Sequence, residues 1–144
     1  MAEHRLTIPG RYDRISEVRE LVQAAAQAAG LDDQAQHYCQ VAVDEACTNI
    51  IEHGYEGEDR GEIDVRCNWV APGSLVIELR DTAQPFDLDS IPTPDPKLSL
   101  DLRSEGGWGV YFIAKMMDSV EYRREAAVNI LRMTKMQRAE NQQP

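Results

Sequence analysis

Residues 41–55 read Val41-Ala-Val-Asp-Glu-Ala-Cys-Thr-Asn-Ile-Ile-Glu-His-Gly-Tyr55, and their periodicity decides how the rest of the chain is understood. At about 100° per residue, Glu45, Asn49, Glu52 and His53 fall on one side of a helix, while Cys39, Val43, Ala46, Cys47 and Ile50 fall on the other. The second face is apolar and needs a partner layer. The first collects a carboxylate, an amide oxygen and an imidazole along one stripe. Such groups can surround one bound ion or reacting atom, and hard cations such as Mg²⁺ favour oxygen ligands completed by water and phosphate. A solvated helix surface is the commoner fate of such a stripe, so its meaning depends on what surrounds it.

Upstream, Asp32 or Asp33 supplies an N-cap for this helix, which runs to about Gly54. Before it, Ile15, Val18, Leu21, Val22, Ala25 and Ala29 recur at helical steps between Tyr12 and a glycine stop at Gly30. Residues 4–8 alternate polar and apolar and end at Pro9-Gly10, as a short strand does. Downstream, 62–70 and 75–80 form a hairpin around Pro72-Gly73. The stretch from Asp81 to Gly107 holds Pro85, Pro92, Pro94 and Pro96 and few periodic apolars, which marks residues about 88–106 as a lid-like loop. Helical spacing returns at Val110, Ile113, Ala114 and Met117, strands follow at about 119–125 and 127–136, and 138–144 reads as a flexible tail. Residues 1–137 are thus expected to form a single domain.

The 144 residues suit one hydrophobic core. With 15 Lys and Arg against 25 Asp and Glu, the net charge of −10 repels phosphate backbones and anionic lipid, which argues against nucleic-acid and membrane-surface partners. Cys39, Cys47 and Cys67 show no C-x-x-C pair, and Cys39 and Cys47 would lie roughly 12 Å apart along one helix, beyond disulfide reach. A reducing cytoplasm fits these thiols, and neither a signal peptide nor an apolar run of membrane-spanning length is present.

Two further stretches can carry chemistry. Ser104-Glu-Gly-Gly-Trp-Gly-Val-Tyr-Phe-Ile113 opens a helix with Gly106, Gly107 and Gly109, and unpaired N–H groups at such a start favour anions such as phosphate. It is not a Walker A loop, since no Gly-Lys-Ser/Thr follows. Asp81-Thr-Ala-Gln-Pro-Phe-Asp87 places an aspartate at a strand end, where it can form a turn or accept a hydrogen bond from an exocyclic amine such as that of adenine.

In this order and spacing, the three stretches resemble the N, G1 and G2 boxes of the GHKL ATPase superfamily, and within it the anti-sigma factor serine-protein kinases. Glu45 to Tyr55 is similar to the N box, Asp81 to Asp87 to the G1 box, and Gly106 to Val110 to the G2 box. Together with the element order, the resemblance implies a Bergerat fold: an α/β (α+β) two-layer sandwich with a mixed, largely antiparallel sheet and three helices on one face. It implies ATP and Mg²⁺ as cofactors, with Glu45 as general base, Asn49 as magnesium ligand, Asp81 as reader of adenine, and Phe86, Gly106, Gly107, Gly109 and Val110 as further nucleotide contacts. The family pattern has glycine where this chain has Ala83, and a methyl there would crowd the pocket or resist a positive φ.

The implied activity is phosphorylation of an anti-sigma-factor antagonist, with a sigma factor as the sequestered partner and a homodimer left open. The alternative from another class is a nucleotide-responsive binding module with little or no kinase activity, which Ala83 would signal. A detached histidine kinase domain would need a phosphoacceptor helix, and none of His4, His37 and His53 reads as one.

Overall fold

The computed structural model describes residues 2–85 and 113–137; the proposed lid, Phe86, Gly106, Gly107, Gly109, Val110 and the tail 138–144 lie outside the described residues. Five strands, β1 (Ala2–Pro9), β2 (Glu62–Val70), β3 (Ser74–Asp81), β4 (Ser119–Glu125) and β5 (Val128–Met136), form one sheet in the order β1-β2-β3-β5-β4. Each neighbouring pair is antiparallel. β3 is the middle strand, and its last residue, Asp81, lies opposite Asn129 of β5.

Period-two alternation sets which face is covered. Ile63, Val65 and Cys67 of β2, Leu75, Ile77 and Leu79 of β3, and Met133 of β5 are all fully buried. Against them pack α1 (Ile15–Ala28) and α2 (Asp33–Asn49), and the helical residues 113–116 bring Ile113 and Met117 into the same core. The opposite face is a lattice of charges, with Asp64 between Arg5 (3.1 Å) and Arg66 (3.2 Å), and Arg80 against Glu78 (3.3 Å).

The helix boundaries follow the local chemistry. A 3-10 turn at Tyr12–Arg14 leads into α1, which buries Ile15, Val18, Val22, Ala25 and Ala26. Gly30 ends α1 at φ +82° in a Schellman motif, with Leu31 N–H donating to Ala26 C=O (3.0 Å) and Gly30 N–H to Gln27 C=O (3.0 Å). Of the two candidate caps, Asp32 is the one used: its Oδ1 accepts from Ala35 N–H at 2.8 Å, and that bond holds its carboxyl below the ordinary range. α2 then buries Ala35, Cys39, Ala42, Val43, Ala46 and Cys47, which confirms the predicted apolar face. The helix read as continuous to Gly54 changes character at its end, because α2 stops at Asn49 and Ile50–Gly54 form a π turn.

All three cysteines are free and buried, and burial pushes each thiol up to about 12. Among the described residues, no helix is long and apolar enough to cross a membrane.

Candidate functional site

The C-terminal end of α2, the end of β3 and the β4–β5 hairpin meet at one end of the sheet, and of the predicted polar stripe Asn49 is the residue that lines the pocket there. There a pocket opens between Ala46, Asn49, Ile50 and Gly54 on the helix side and Asp81, Val120, Tyr122, Asn129 and Leu131 on the sheet side, with Gln84 and Ile113 at its edges. Its wall is mainly apolar, so the few polar groups that reach it decide what can bind.

Asp81 and Asn129 are the buried polar pair among these groups. Asp81 is only 8% exposed, and Asn129 beside it is 3% exposed. Asp81 Oδ1 accepts from Ala83 N–H (2.9 Å) and from Asn129 Nδ2 (2.8 Å), and Asn129 Nδ2 also donates to Ala83 C=O (2.9 Å). The Asn129 Oδ1 accepts from Tyr122 Oη (2.8 Å) and Arg124 Nη1 (2.7 Å). The Arg124 guanidinium can only donate, so the amide oxygen faces it, and the amide orientation follows from the network: its NH₂ faces Asp81. Burial raises the Asp81 carboxyl above its ordinary range, and the Asn129 and Ala83 donors and the Arg124 charge oppose that rise. A carboxyl so placed at an apolar pocket can accept a hydrogen bond from a bound ligand.

Asn49, the last residue of α2, borders the same pocket, so the structure brings the predicted magnesium ligand and the predicted base reader to one cavity. Glu45, one turn earlier, is half-buried on that helix and does not border the pocket. Glu52 and His53 continue along the π turn, where Glu52 is exposed and His53 Nε2 lies 4.0 Å from its carboxylate. The glycine-rich stretch and Phe86 fall outside the described residues.

Ala83 does not behave as its departure from the family pattern suggests. It is 6% exposed, has no positive φ and does not border the pocket. Its methyl instead faces Gly54, where an added Cβ would stand 2.9 Å from Ala83 Cβ. The space for the methyl thus comes from the glycine of the π turn.

Asn129, Tyr122 and Arg124 had no place in the sequence reading. One signal was available: Asn129 is in phase with Leu131 and Met133, so a polar residue sits at an inward position of a strand.

Residues 8–135 match the profile of the family described as histidine kinase-like ATPase domain. The serine-protein kinase RsbW of Bacillus velezensis is 31% identical over 134 residues, covering 90% of this chain and 82% of that protein. RsbW of Halalkalibacterium halodurans is likewise 31% identical, over 90% of this chain and 80% of its own length. The crystal structure of the RsbU and RsbW domains of Rv1364c from Mycobacterium tuberculosis superposes with a TM-score of 0.66 at 16% identity, over 96% of this chain but 34% of that one. The histidine kinase domain from Erythrobacter litoralis EL346 blue-light activated histidine kinase gives 0.53 at 14% identity, over 90% of this chain and 61% of that chain. These two likenesses establish the fold, and this chain spans about a third of the first solved chain and under two thirds of the second.

Proposed function

Because the chain belongs to the histidine kinase-like ATPase domain family, and within it to the RsbW-type serine-protein kinases, we propose that it is an ATP- and Mg²⁺-dependent serine/threonine-protein kinase acting as an anti-sigma factor. In this reading it phosphorylates an anti-sigma-factor antagonist in the cytoplasm and regulates a sigma factor by partner switching. The observation that carries the reading is the meeting of Asp81 and Asn49 at one apolar pocket.

Each residue then has a task that its chemistry suits. Asp81 accepts a hydrogen bond from the adenine amine, and the apolar walls cover the ring. Asn49 offers a neutral oxygen to Mg²⁺, an ion that prefers oxygen donors and keeps several waters and phosphate oxygens in its shell. When bound, the ion neutralises charge on the phosphates. Glu45 takes the proton of the partner's hydroxyl, while Phe86, Gly106, Gly107, Gly109 and Val110 are assigned to the nucleotide from the family pattern alone. The binding-module alternative drew its motive from Ala83, and the methyl of that residue packs on Gly54.

The deciding experiment is single-turnover transfer of the γ-phosphoryl group to a cognate antagonist by the wild type, Glu45→Gln and Asn49→Ala. Glu45→Gln should lower transfer by about 10² or more, with nucleotide affinity little changed. Asn49→Ala should weaken Mg-ATP binding without loss of thermal stability, since Ala is the better helix former. Wild-type transfer to no cognate antagonist would reject the kinase reading, and an undiminished rate in Glu45→Gln would reject its role as base.

A further inference from the structure

The two segments that carry Asn49 and Asp81 continue past those residues and clasp each other. After Asn49 the chain makes the π turn and reaches Tyr55, whose N–H donates to Ile50 C=O at 2.8 Å. After Asp81 it reaches Thr82, Ala83 and Gln84. The Tyr55 hydroxyl donates to Glu62 C=O at 2.6 Å, at the start of β2, and accepts from Thr82 N–H at 3.1 Å. A phenol has one proton, and Glu62 takes it, so the oxygen is committed as the acceptor for Thr82. The ring is held where it is by the lack of a side chain at Gly61, where a Cβ would come within 2.2 Å of ring carbon Cε1. Gln84 Nε2 completes the clasp by donating to His53 C=O (3.0 Å) and Glu56 Oε1 (2.9 Å).

The Thr82 bond differs from the others in its place. It fixes the peptide that joins Thr82 to Asp81, and thereby the direction from which the Asp81 carboxyl enters the pocket. The wide π turn makes this reach available, since it changes the helical register between Asn49 and Tyr55.

We propose that Tyr55 is a positioning residue for base recognition. It holds Asp81 at a set place relative to the helix that ends in Asn49, so that the base end and the phosphate end of one ligand meet a single rigid frame. This rests on the reading of the pocket as a nucleotide site, in which Asp81 accepts from an exocyclic amine.

The test compares ATP with ITP, which carries an oxo group in place of the amine, by calorimetric titration in the presence of Mg²⁺. Wild type, Tyr55→Phe and Thr82→Ala are measured on the full chain. Tyr55→Phe should lose about five- to tenfold in ATP affinity, the worth of one hydrogen bond, with ITP changed less than twofold, so that selectivity falls. Thr82→Ala removes the side-chain hydroxyl that lies 3.5 Å from Tyr55 Oη but keeps the backbone donor, and should retain the wild-type ratio. Equal losses for ATP and ITP in Tyr55→Phe, or an unchanged ratio, would overturn the proposal, because a purely structural role lowers both alike. Amide exchange without nucleotide supplies a second reading: Thr82 N–H should exchange faster in Tyr55→Phe while Leu79 N–H does not. Unchanged exchange at Thr82 would also overturn it. Wild type binding neither nucleotide refutes the nucleotide reading itself, and the proposal with it.

Discussion

The two ends of the sheet are built by different rules. At the far end, β2 turns into β3 through Pro72 and Gly73, and Gly73 takes φ +89° at little cost. Its N–H donates to Ala29 C=O at the end of α1, and its C=O accepts from Gln137 N–H at 2.8 Å. At the site end, β4 turns into β5 through Ala126 and Ala127, both in the left-handed region at φ 49° and 66°. An alanine there costs about 1 kcal/mol, and neighbouring residues must hold it in place. The same turn leads directly into Asn129, which meets Asp81. Where the turn makes its contacts through backbone alone, residue and conformation agree. Where it delivers a side chain to the pocket, the chain tolerates strain.

This contrast sets an order of expected effects. The largest belongs to Gly61→Ala, since a Cβ there enters the Tyr55 ring and the clasp has no slack. We expect a loss of about 3 kcal/mol in urea unfolding. A loss under about 1 kcal/mol would mean that the site end repacks freely.

Next is Asp81→Asn, which separates function from stability. Removing a charge-assisted acceptor should weaken ATP binding by about 10- to 100-fold. Stability should move the other way, with the melting temperature up by roughly 1–3 °C at pH 7. Burial raises the Asp81 carboxyl above its ordinary value, so its favourable contribution is complete below the unfolded-state value near 3.8 and is lost as pH rises through the higher folded-state value. The gain in the variant should therefore shrink toward acid pH. Melting curves that separate more at pH 4 than at pH 8 would contradict this sign.

A smaller effect is expected from Gly73→Ala at the far end. There the backbone must keep its positive φ, and the new Cβ lies 3.0 Å from Gln137 Cβ, for a cost of about 1–2 kcal/mol with ATP affinity unaltered. Smallest is the reverse change at the site end. Ala127→Gly should stabilise by about 0.5–1 kcal/mol, because glycine relieves the left-handed strain. If Ala127→Gly destabilises, the turn is not strained and the comparison of the two ends fails.

Much of this was legible from residue order. Period-two alternation located the strands to within a residue or two, and Gly30 and the Asp32 cap marked the helix junction because these signals act locally. The apolar face of α2 was equally plain. The motifs single out Asn49 and Asp81, and the fold brings both to the border of one pocket. Of the partners of Asp81, the Ala83 N–H two residues on belongs to the local turn that the sequence offers, while the other was not legible. Asn129 stands 48 residues downstream, and its importance comes from lying directly across the ladder, a relation fixed by strand order and register.

The sequence by itself determined the strands, the existence of the two helices, the polarity of each face and the cap to within one residue, Asp32 or Asp33, since these depend on neighbours a few positions apart. Tertiary structure alone decided the strand order β1-β2-β3-β5-β4, the π turn after Asn49, the pairing of Gly54 with Ala83, and the bonds of Tyr55 and Asn129 around Asp81. The physical reason is range. A helix or strand is encoded by its own periodicity, whereas the buried Asp81 carboxyl needs, beyond the local Ala83 N–H, the Asn129 donor that only the packed sheet brings within 3 Å.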